Sequence, residues 1–275
     1  MTERTEKTMS ELDKVKRVLL LCAHADDCEY FAGGLVAKLA AQGAEITEVI
    51  ATDNGRGSFE LDSTELVTRS RDVEAREAAR ILGKKEVVFL GYPDGYLDET
   101  PKNELRRIFM QWVRRVRPDL VLSFDAFASF ETHPDHRHVA VAATEAVGFS
   151  RMPLFHPEQR SEEGLEPYAV PLCYWFAKHD GLADTVVDIG PWLDKKIEAL
   201  RAHKSQMRMM VRDFRESLLA TGARPDLLPL MAEDNADTVI EFFIRAWNGR
   251  IGARVGCELG EAYRRDSAGG MFESM

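Results

Sequence analysis

The stretch Arg17-Val-Leu-Leu-Leu-Cys-Ala-His-Ala-Asp-Asp-Cys-Glu29 sets the architecture of the chain. Val18 to Ala23 are apolar without interruption, between a charged segment and His24. A short run without polar alternation reads as a strand buried on both faces, as in a parallel sheet. Beyond it, Phe31 to Gln42 carries helical spacing (Leu35, Val36, Leu39, Ala40) and stops at Gly43. Ile46–Ala51 reads as a second strand, Asp53–Ser58 as a turn-rich loop, and Glu65–Leu82 as a helix closed by Gly83. Glu86–Leu90 is a third strand, followed by the loop Gly91–Gly95. Glu104–Val116 is a helix ended by Pro118, and Leu120–Phe124 is a fourth strand.

Strands alternating with helices predict right-handed crossovers and a parallel sheet. Arg137–Val147 continues the pattern as a helix, and Gly148–Tyr168 reads as a long mobile loop. Leu172–Ala177 and Thr185–Ile189 are further strands, and Leu193–Leu219 is one long amphipathic, Met-rich pattern. Val239–Trp247 fits helix and strand alike. The expectation is an α/β fold: a single Rossmann-like domain over residues 17–275, with a mostly parallel sheet and helices on both faces, after a polar lead-in at 1–16.

Composition removes several classes of function. Across 275 residues, Lys plus Arg number 36 and Asp plus Glu number 46, a formal net charge of −10. Such a chain is a poor partner for nucleic acid, which needs clustered positive charge. The segment Met1–Lys16 lacks the apolar core of a signal peptide, and Val18–Ala23 is too short to span a bilayer. Cys22, Cys28, Cys173 and Cys257 form no CxxC pair and read as reduced thiols, which points to the cytoplasm.

The chemistry sits in two tetrapeptides, His24-Ala-Asp-Asp27 and His133-Pro-Asp-His136. Two neutral imidazoles and one carboxylate make a three-ligand shell that suits Zn²⁺ and leaves a position open for water. The remaining histidine and aspartates are of types that move protons. His24–Asp27 follows strand one, Asp53–Ser58 strand two, Asp94 strand three and His133–His136 strand four. All four loops therefore meet at the carboxyl edge of the sheet, where open α/β folds bind ligands. A separation of three residues lets His24 and Asp27 aim at one ion, and the same holds for His133 and His136, with Pro134 stiffening the turn. Gly33-Gly34 lets backbone approach the sheet or a ligand closely.

These residues resemble the PIG-L (LmbE-like) zinc deacetylase family, whose members remove acetyl groups from N-acetylglucosamine units in glycolipids, thiol cofactor precursors and antibiotics. The family pattern A-H-P-D-D-x-E stands here as Ala23-His-Ala-Asp-Asp-Cys-Glu29, followed by Gly33-Gly34, and H-P-D-H is intact at His133–His136. Thr52–Gly57, Arg71 with Glu74 and Glu77, Leu82-Gly83, Leu90–Gly95, Lys195–Leu200 and His203–Gln206 match further landmarks in order. Ala25 replaces the usual proline, which loosens the turn without removing a ligand.

The resemblance implies that His24, Asp27 and His136 bind Zn²⁺, with Fe²⁺ suited to the same donors. It implies Asp26 as general base and a cationic His133 as electrophilic or acid partner. Asp135 is expected to orient one of the histidines. Asp94 and Arg71 are expected to grip sugar hydroxyls or order the site, and Arg56 to reach an anionic substrate. Gly55–Ser63, Phe127–Thr132 and Phe149–Tyr168 are the expected substrate loops.

The expected substrate is a small N-acetylated amino sugar or conjugate, hydrolysed at its amide. A metal-dependent hydratase of an unsaturated acid on the same fold is an alternative, and so is a non-catalytic metal- or sugar-binding protein. A nucleotide enzyme would carry a glycine-rich turn after strand one, where this chain has ligands. Glu29 reads as a partner for loop backbone or as a catalytic group. The long helix and Cys257–Tyr263 are candidate contacts for a homo-oligomer.

Overall fold

A computed structural model of the chain describes residues 10–59, 63–129, 131–178 and 183–268, apart from the side chains of Lys102 and Glu233. Residues 1–9 of the expected lead-in, 60–62 of the first substrate loop and Phe130 of the second lie outside them. Among the described residues, seven strands form one sheet: β1 (Arg17–Cys22), β2 (Glu45–Thr52), β3 (Glu86–Tyr92), β4 (Leu120–Phe124), β5 (Leu172–Phe176), β6 (Thr185–Asp188) and β7 (Gly260–Ser267). Their spatial order is 3-2-1-4-5-7-6; six strands run in one direction and β7 runs against them, antiparallel to β5 and β6. The connecting helices are α1 (Asp27–Ala41), α2 (Thr64–Leu82), α3 (Lys102–Val116), α4 (Pro134–Phe149), α5 (Leu193–Ala202), α6 (Lys204–Thr221) and α7 (Ala236–Ala253).

Val18 to Cys22 are completely buried, as an unbroken apolar run requires. Each such aliphatic side chain contributes about 1.5–3 kcal/mol through burial. Helices α1, α2 and α5 pack on one another, and α3 packs on α4, which gives the sheet its two helical layers. The Gly33-Gly34 pair serves this packing rather than a ligand. A Cβ at Gly34 would lie 2.7 Å from Ile189, and one at Gly33 would lie 3.0 Å from Lys196 of α5.

Three expectations change. The long pattern over Leu193–Leu219 is two helices, because His203 (φ −81, ψ 58) leaves helical geometry and turns its ring fully inside, beside Glu29. The ambiguous Val239–Trp247 lies within α7. Gly148–Tyr168 is pinned rather than loose. The Arg114 guanidinium reaches through it to the carbonyls of Ser150 (3.1 Å), Met152 (2.9 Å) and Phe155 (2.9 Å) and to Gln159 Oε1 (2.9 Å).

The C-terminal stretch carries a strand the sequence did not reveal: Gly260–Tyr263 of the candidate contact Cys257–Tyr263 lies in β7. Its Glu261 is buried against Lys196 Nζ (2.7 Å) and the N–H groups of Gly34 and Leu35 (2.9 Å each), and Tyr263 is wholly enclosed. Arg264 pairs with Asp125 at 2.6 Å. Charge in this strand hid it from a hydrophobicity pattern, yet Glu261, Arg264 and Arg265 each meet an opposite charge inside the fold.

Candidate active site

The order of the strands reverses between β1 and β4: β2 and β3 lie on one side, β5 on the other. Loops leaving β1 and β4 therefore part and leave a crevice, the usual ligand position in such sheets. His24 to Asp26 form the link from β1 into α1, and His133 caps the start of α4. A cavity of about 340 Å³ opens there, within the range of small-molecule sites. It is lined by His24, Asp26, Asp27, Arg56, Arg71, Asp94, His133 and His136, with Gln206 and Met209 of α6 forming another wall.

Donor atoms of three residues converge in this cavity. His24 Nδ1 lies 3.2 Å from His136 Nε2, His136 Nε2 lies 3.3 Å from Asp27 Oδ1, and His24 Nδ1 lies 3.8 Å from Asp27 Oδ2. Ligands bound tetrahedrally at 2.0–2.1 Å stand about 3.3 Å from one another. The His24–His136 and His136–Asp27 separations are thus close to the edges of a zinc coordination shell, while the His24–Asp27 separation runs to the other carboxylate oxygen. Asp27 is held in place because its Oδ2 accepts the N–H groups of Ala23 (2.9 Å) and His24 (2.7 Å). His24, His133 and His136 also offer ring nitrogens within 4.8 Å of one another.

Hydrogen bonding separates the three rings. His24 Nε2 faces Asp94 Oδ1 (3.1 Å) and Asp135 Oδ2 (3.2 Å), two acceptors, so the proton belongs on Nε2 and Nδ1 keeps its lone pair for a metal. His133 differs. Its Nδ1 accepts the N–H of Asp135 at 3.3 Å, which leaves the proton on Nε2. Burial, with the neighbouring His24 and His136, pushes the His133 imidazole down to about 4. That direction favours an uncharged ring that donates a hydrogen bond from Nε2.

Asp135 is fully enclosed. Burial alone would raise its carboxyl, but His24 and the N–H groups of Gly95 (2.7 Å) and Leu97 (3.0 Å) hold it below the usual range. Its Oδ2 meets His24 Nε2, the contact an orienting carboxylate would make. Asp94 behaves similarly and is held at about 2: burial opposes ionisation, but His24 on Oδ1 and the Arg56 N–H on Oδ2 outweigh it. Both Asp94 oxygens have partners inside the protein, and the residue also lines the cavity. Arg71 is buried too, with Nη2 2.6 Å from Asp26 Oδ1 and Nη1 on Gln206. Asp26 stands at the N-cap position of α1, yet its side chain makes no capping bond and faces the cavity. Arg56 donates Nε to the Asp94 carbonyl (2.9 Å) and lays its guanidinium over Tyr96.

The sequence reading missed Met209 on α6, which lines the cavity; Gln206 had shown itself only as the end of His203–Gln206. It also missed Glu131 and Lys178, which meet at His136 Nδ1. Glu131 lies just ahead of the second tetrapeptide, where a carboxylate behind a ligating histidine could have been sought. Lys178, beyond β5, carries no local signal. No residue of Phe149–Tyr168 lines the cavity.

Known proteins carry the same arrangement of chain. A family model described as PIG-L, GlcNAc-PI de-N-acetylase, matches residues 19–147. The chain is 33% identical over 219 residues to a diacetylchitobiose deacetylase of Thermococcus kodakarensis, spanning 78% of this chain and 79% of that protein. It is 29% identical over 234 residues to a 1D-myo-inositol 2-acetamido-2-deoxy-alpha-D-glucopyranoside deacetylase of Actinosynnema mirum, spanning 70% of this chain and 81% of that one. Among solved structures it is similar to N,N'-diacetylchitobiose deacetylase from Pyrococcus horikoshii, with a TM-score of 0.76 and 27% identity over 99% of this chain and 96% of that chain.

Proposed function

The chain belongs to the PIG-L family, and from that premise we propose that it hydrolyses the acetamide of an N-acetylated amino sugar or sugar conjugate. The observation that carries this reading is the convergence of His24 Nδ1, His136 Nε2 and the Asp27 carboxylate, with Asp26 and His133 lining the same cavity. Family members are metal-dependent, and the donor set fits Zn²⁺, with Fe²⁺ accommodated by the same atoms. A divalent ion held by His24, Asp27 and His136 supplies Lewis acidity, polarising the acetyl carbonyl and bringing the pKa of water from about 16 toward roughly 7.

The rest falls to the protein's own side chains. Asp26, fixed by the Arg71 guanidinium, takes the proton of the attacking water. The His133 Nε2–H points at the cavity and donates to the oxygen that gains charge as the carbonyl carbon becomes tetrahedral. An amine leaves only when protonated, and Asp26 holds the proton it has just taken. Neutral His133 would become an anionic ring if it gave a full proton, so it serves as a hydrogen-bond donor. Arg56, exposed at the rim with its guanidinium on Tyr96, is positioned to meet the remainder of the substrate.

We place this activity in a single domain over residues 17–275 and in the cytoplasm. The one sheet that reaches Ser267 supports the first, and four free thiols support the second. Among the described residues, no helix is long and apolar enough to cross a membrane.

The test is a panel of N-acetylated sugars and conjugates assayed for free amine and acetate, with and without a chelator. Stoichiometric acetate and amine that vanish with chelator and return with Zn²⁺ are expected. Turnover indifferent to the chelator overturns the mechanism, and turnover of an unsaturated acid without acetate release puts a hydratase in its place.

A further inference from the structure

We infer that Glu131 is the positioning residue for His136: its carboxylate selects the ring tautomer that leaves Nε2 free for a divalent ion, and Lys178 is the counter-charge that holds the carboxylate there. The inference rests on the reading of His24, Asp27 and His136 as metal ligands.

His136 has one ring nitrogen on each side of the question. Nε2 faces the donor triangle, 3.2 Å from His24 Nδ1 and 3.3 Å from Asp27 Oδ1. Nδ1 faces away from it and meets two groups of opposite character. Glu131 Oε2 lies 3.3 Å from Nδ1 and can only accept; Lys178 Nζ lies 3.1 Å from it and can only donate. A neutral imidazole carries one proton. With the proton on Nδ1, it is donated to Glu131 and Nε2 has a lone pair for metal. With Lys178 donating to Nδ1, the proton moves to Nε2 and ligation is lost. The two neighbours therefore favour opposite states of the same ring.

The surroundings decide for the carboxylate. Lys178 Nζ forms an ion pair with the same Glu131 Oε2, and its charge also lies over the rings of Phe31 and Phe124, at 5.4 and 5.8 Å. The ammonium is thus satisfied without His136, whereas Nδ1–H has Glu131 as its acceptor. Glu131 has a separate structural bond, Oε1 to the His133 N–H at 3.0 Å, which fixes the carboxylate and leaves Oε2 for this role. The ring cannot swing to other partners. It is stacked between Phe124 (4.1 Å between centroids) and His133 (4.5 Å).

The arrangement mirrors that of His24, whose outer nitrogen rests on Asp94 and Asp135. Those two aspartates belong to recognisable landmarks of the sequence. Glu131 and Lys178 belong to none, and come from the approach to α4 and the end of β5, which meet only in the folded chain.

The experiment titrates metal-stripped protein with Zn²⁺ against a chelating indicator, for wild type, Glu131→Gln and Lys178→Met. Nitrogen chemical shifts of histidine-labelled protein before metal is added report the tautomer of His136. Nδ1–H is expected in wild type, with a shift toward Nε2–H in Glu131→Gln and a zinc affinity lower by about 10–100-fold. Lys178→Met is expected to weaken zinc binding less than Glu131→Gln, because the carboxylate loses its counter-charge but keeps its charge and its Oε1 bond to the His133 N–H. Equal zinc affinity in wild type and Glu131→Gln overturns the inference. So does an Nε2–H tautomer in the metal-free wild type, a readout that stands even if Glu131→Gln fails to fold. A wild-type protein that binds no zinc overturns the ligand reading itself, a distinct failure.

Discussion

Two clusters of histidine and carboxylate lie back to back around the first turn of α1. The front one holds His24, Asp27 and His136 at the crevice. The rear one holds Glu29, Glu48 and His203 in the interior, with Cys28 alongside. Judged by residue type alone they are equals, and Cys28, Glu29 and Glu48 also offer three donor atoms within 4.8 Å of one another. The difference is Lys84, whose Nζ sits 2.7 Å from Glu29 Oε1 and 2.7 Å from Glu48 Oε2 with no exposure to solvent. The rear cluster contains its own cation. Among the described residues, no ammonium or guanidinium touches the carboxylates of Asp27, Asp94 or Asp135 at the front, and a cavity reaches them. A group of ligand-type residues is a metal site when its charge is left for an external ion to balance, and a structural core when the chain balances it.

The comparison breaks most visibly at Asp27. Asp27→Asn keeps an oxygen for the Ala23 and His24 N–H groups but removes the charge that faces His136. Lewis-acid assistance is worth several kcal/mol, and each 1.36 kcal/mol is tenfold in rate. A loss of deacetylation on the order of 10³-fold or more is expected, with zinc binding lost and the melting temperature of the metal-free protein little changed. Retained zinc at one equivalent would show that another residue, His133 among them, completes the shell.

Lys84→Met makes the converse test. It leaves two carboxylates facing each other without a counter-ion, and removing one partner of a buried charge cluster costs about 3–5 kcal/mol. Urea unfolding of metal-free protein measures this. The expected result is a large loss of stability in the variant and a single zinc equivalent in wild type. Two zinc equivalents in wild type, or an unaltered unfolding midpoint in the variant, contradict the division into an open site and a filled one.

How legible each cluster was in the sequence follows from the same distinction. Strand-to-helix turns are local, so β1 to β4, their helices and the two tetrapeptides could be read directly, and the crevice between β1 and β4 follows from topology. His24, Asp26, Asp27, His133, Asp135 and His136 meet because each lies within a few residues of a strand end. Partners contributed over long range were not legible. Lys84 follows α2, His203 breaks the helical pattern before α6, Lys178 follows β5, and Glu261 lies in a strand too charged to look like one. Each acquires its meaning from an oppositely charged group distant in sequence, and neither periodicity nor propensity encodes that pairing. Glu29 illustrates the cost: beside Asp27 it looked like a loop partner or a catalytic group, whereas its carboxylate is turned to Lys84.

The smallest effect concerns the proton balance of the rear cluster, and it sharpens the claim that this cluster is nearly neutral inside. Burial pushes the Glu48 carboxyl up to about 7, against the pull of Lys84, while an ordinary glutamate titrates near 4.5. Glu29 goes the other way: burial would raise it, but Lys84 and His203 hold it at about 2. One ammonium therefore faces one full carboxylate and one that keeps its proton until near neutrality. Between about pH 4.5 and 7 the folded state retains a proton on Glu48 that the unfolded chain has released, so this group makes stability fall as the pH rises through that window. At about 1.4 kcal/mol per unit, the contribution present below pH 4.5 and lost by pH 7 is about 3 kcal/mol. Glu29 contributes in the opposite sense, and only between about pH 2 and 4.5. Glu48→Gln removes the titration while preserving shape, so its unfolding free energy should decline less between pH 5 and pH 7 than that of wild type. Parallel pH profiles for the two proteins would mean that Glu48 is ionised throughout, and the rear cluster would then carry an uncompensated negative charge like the front one.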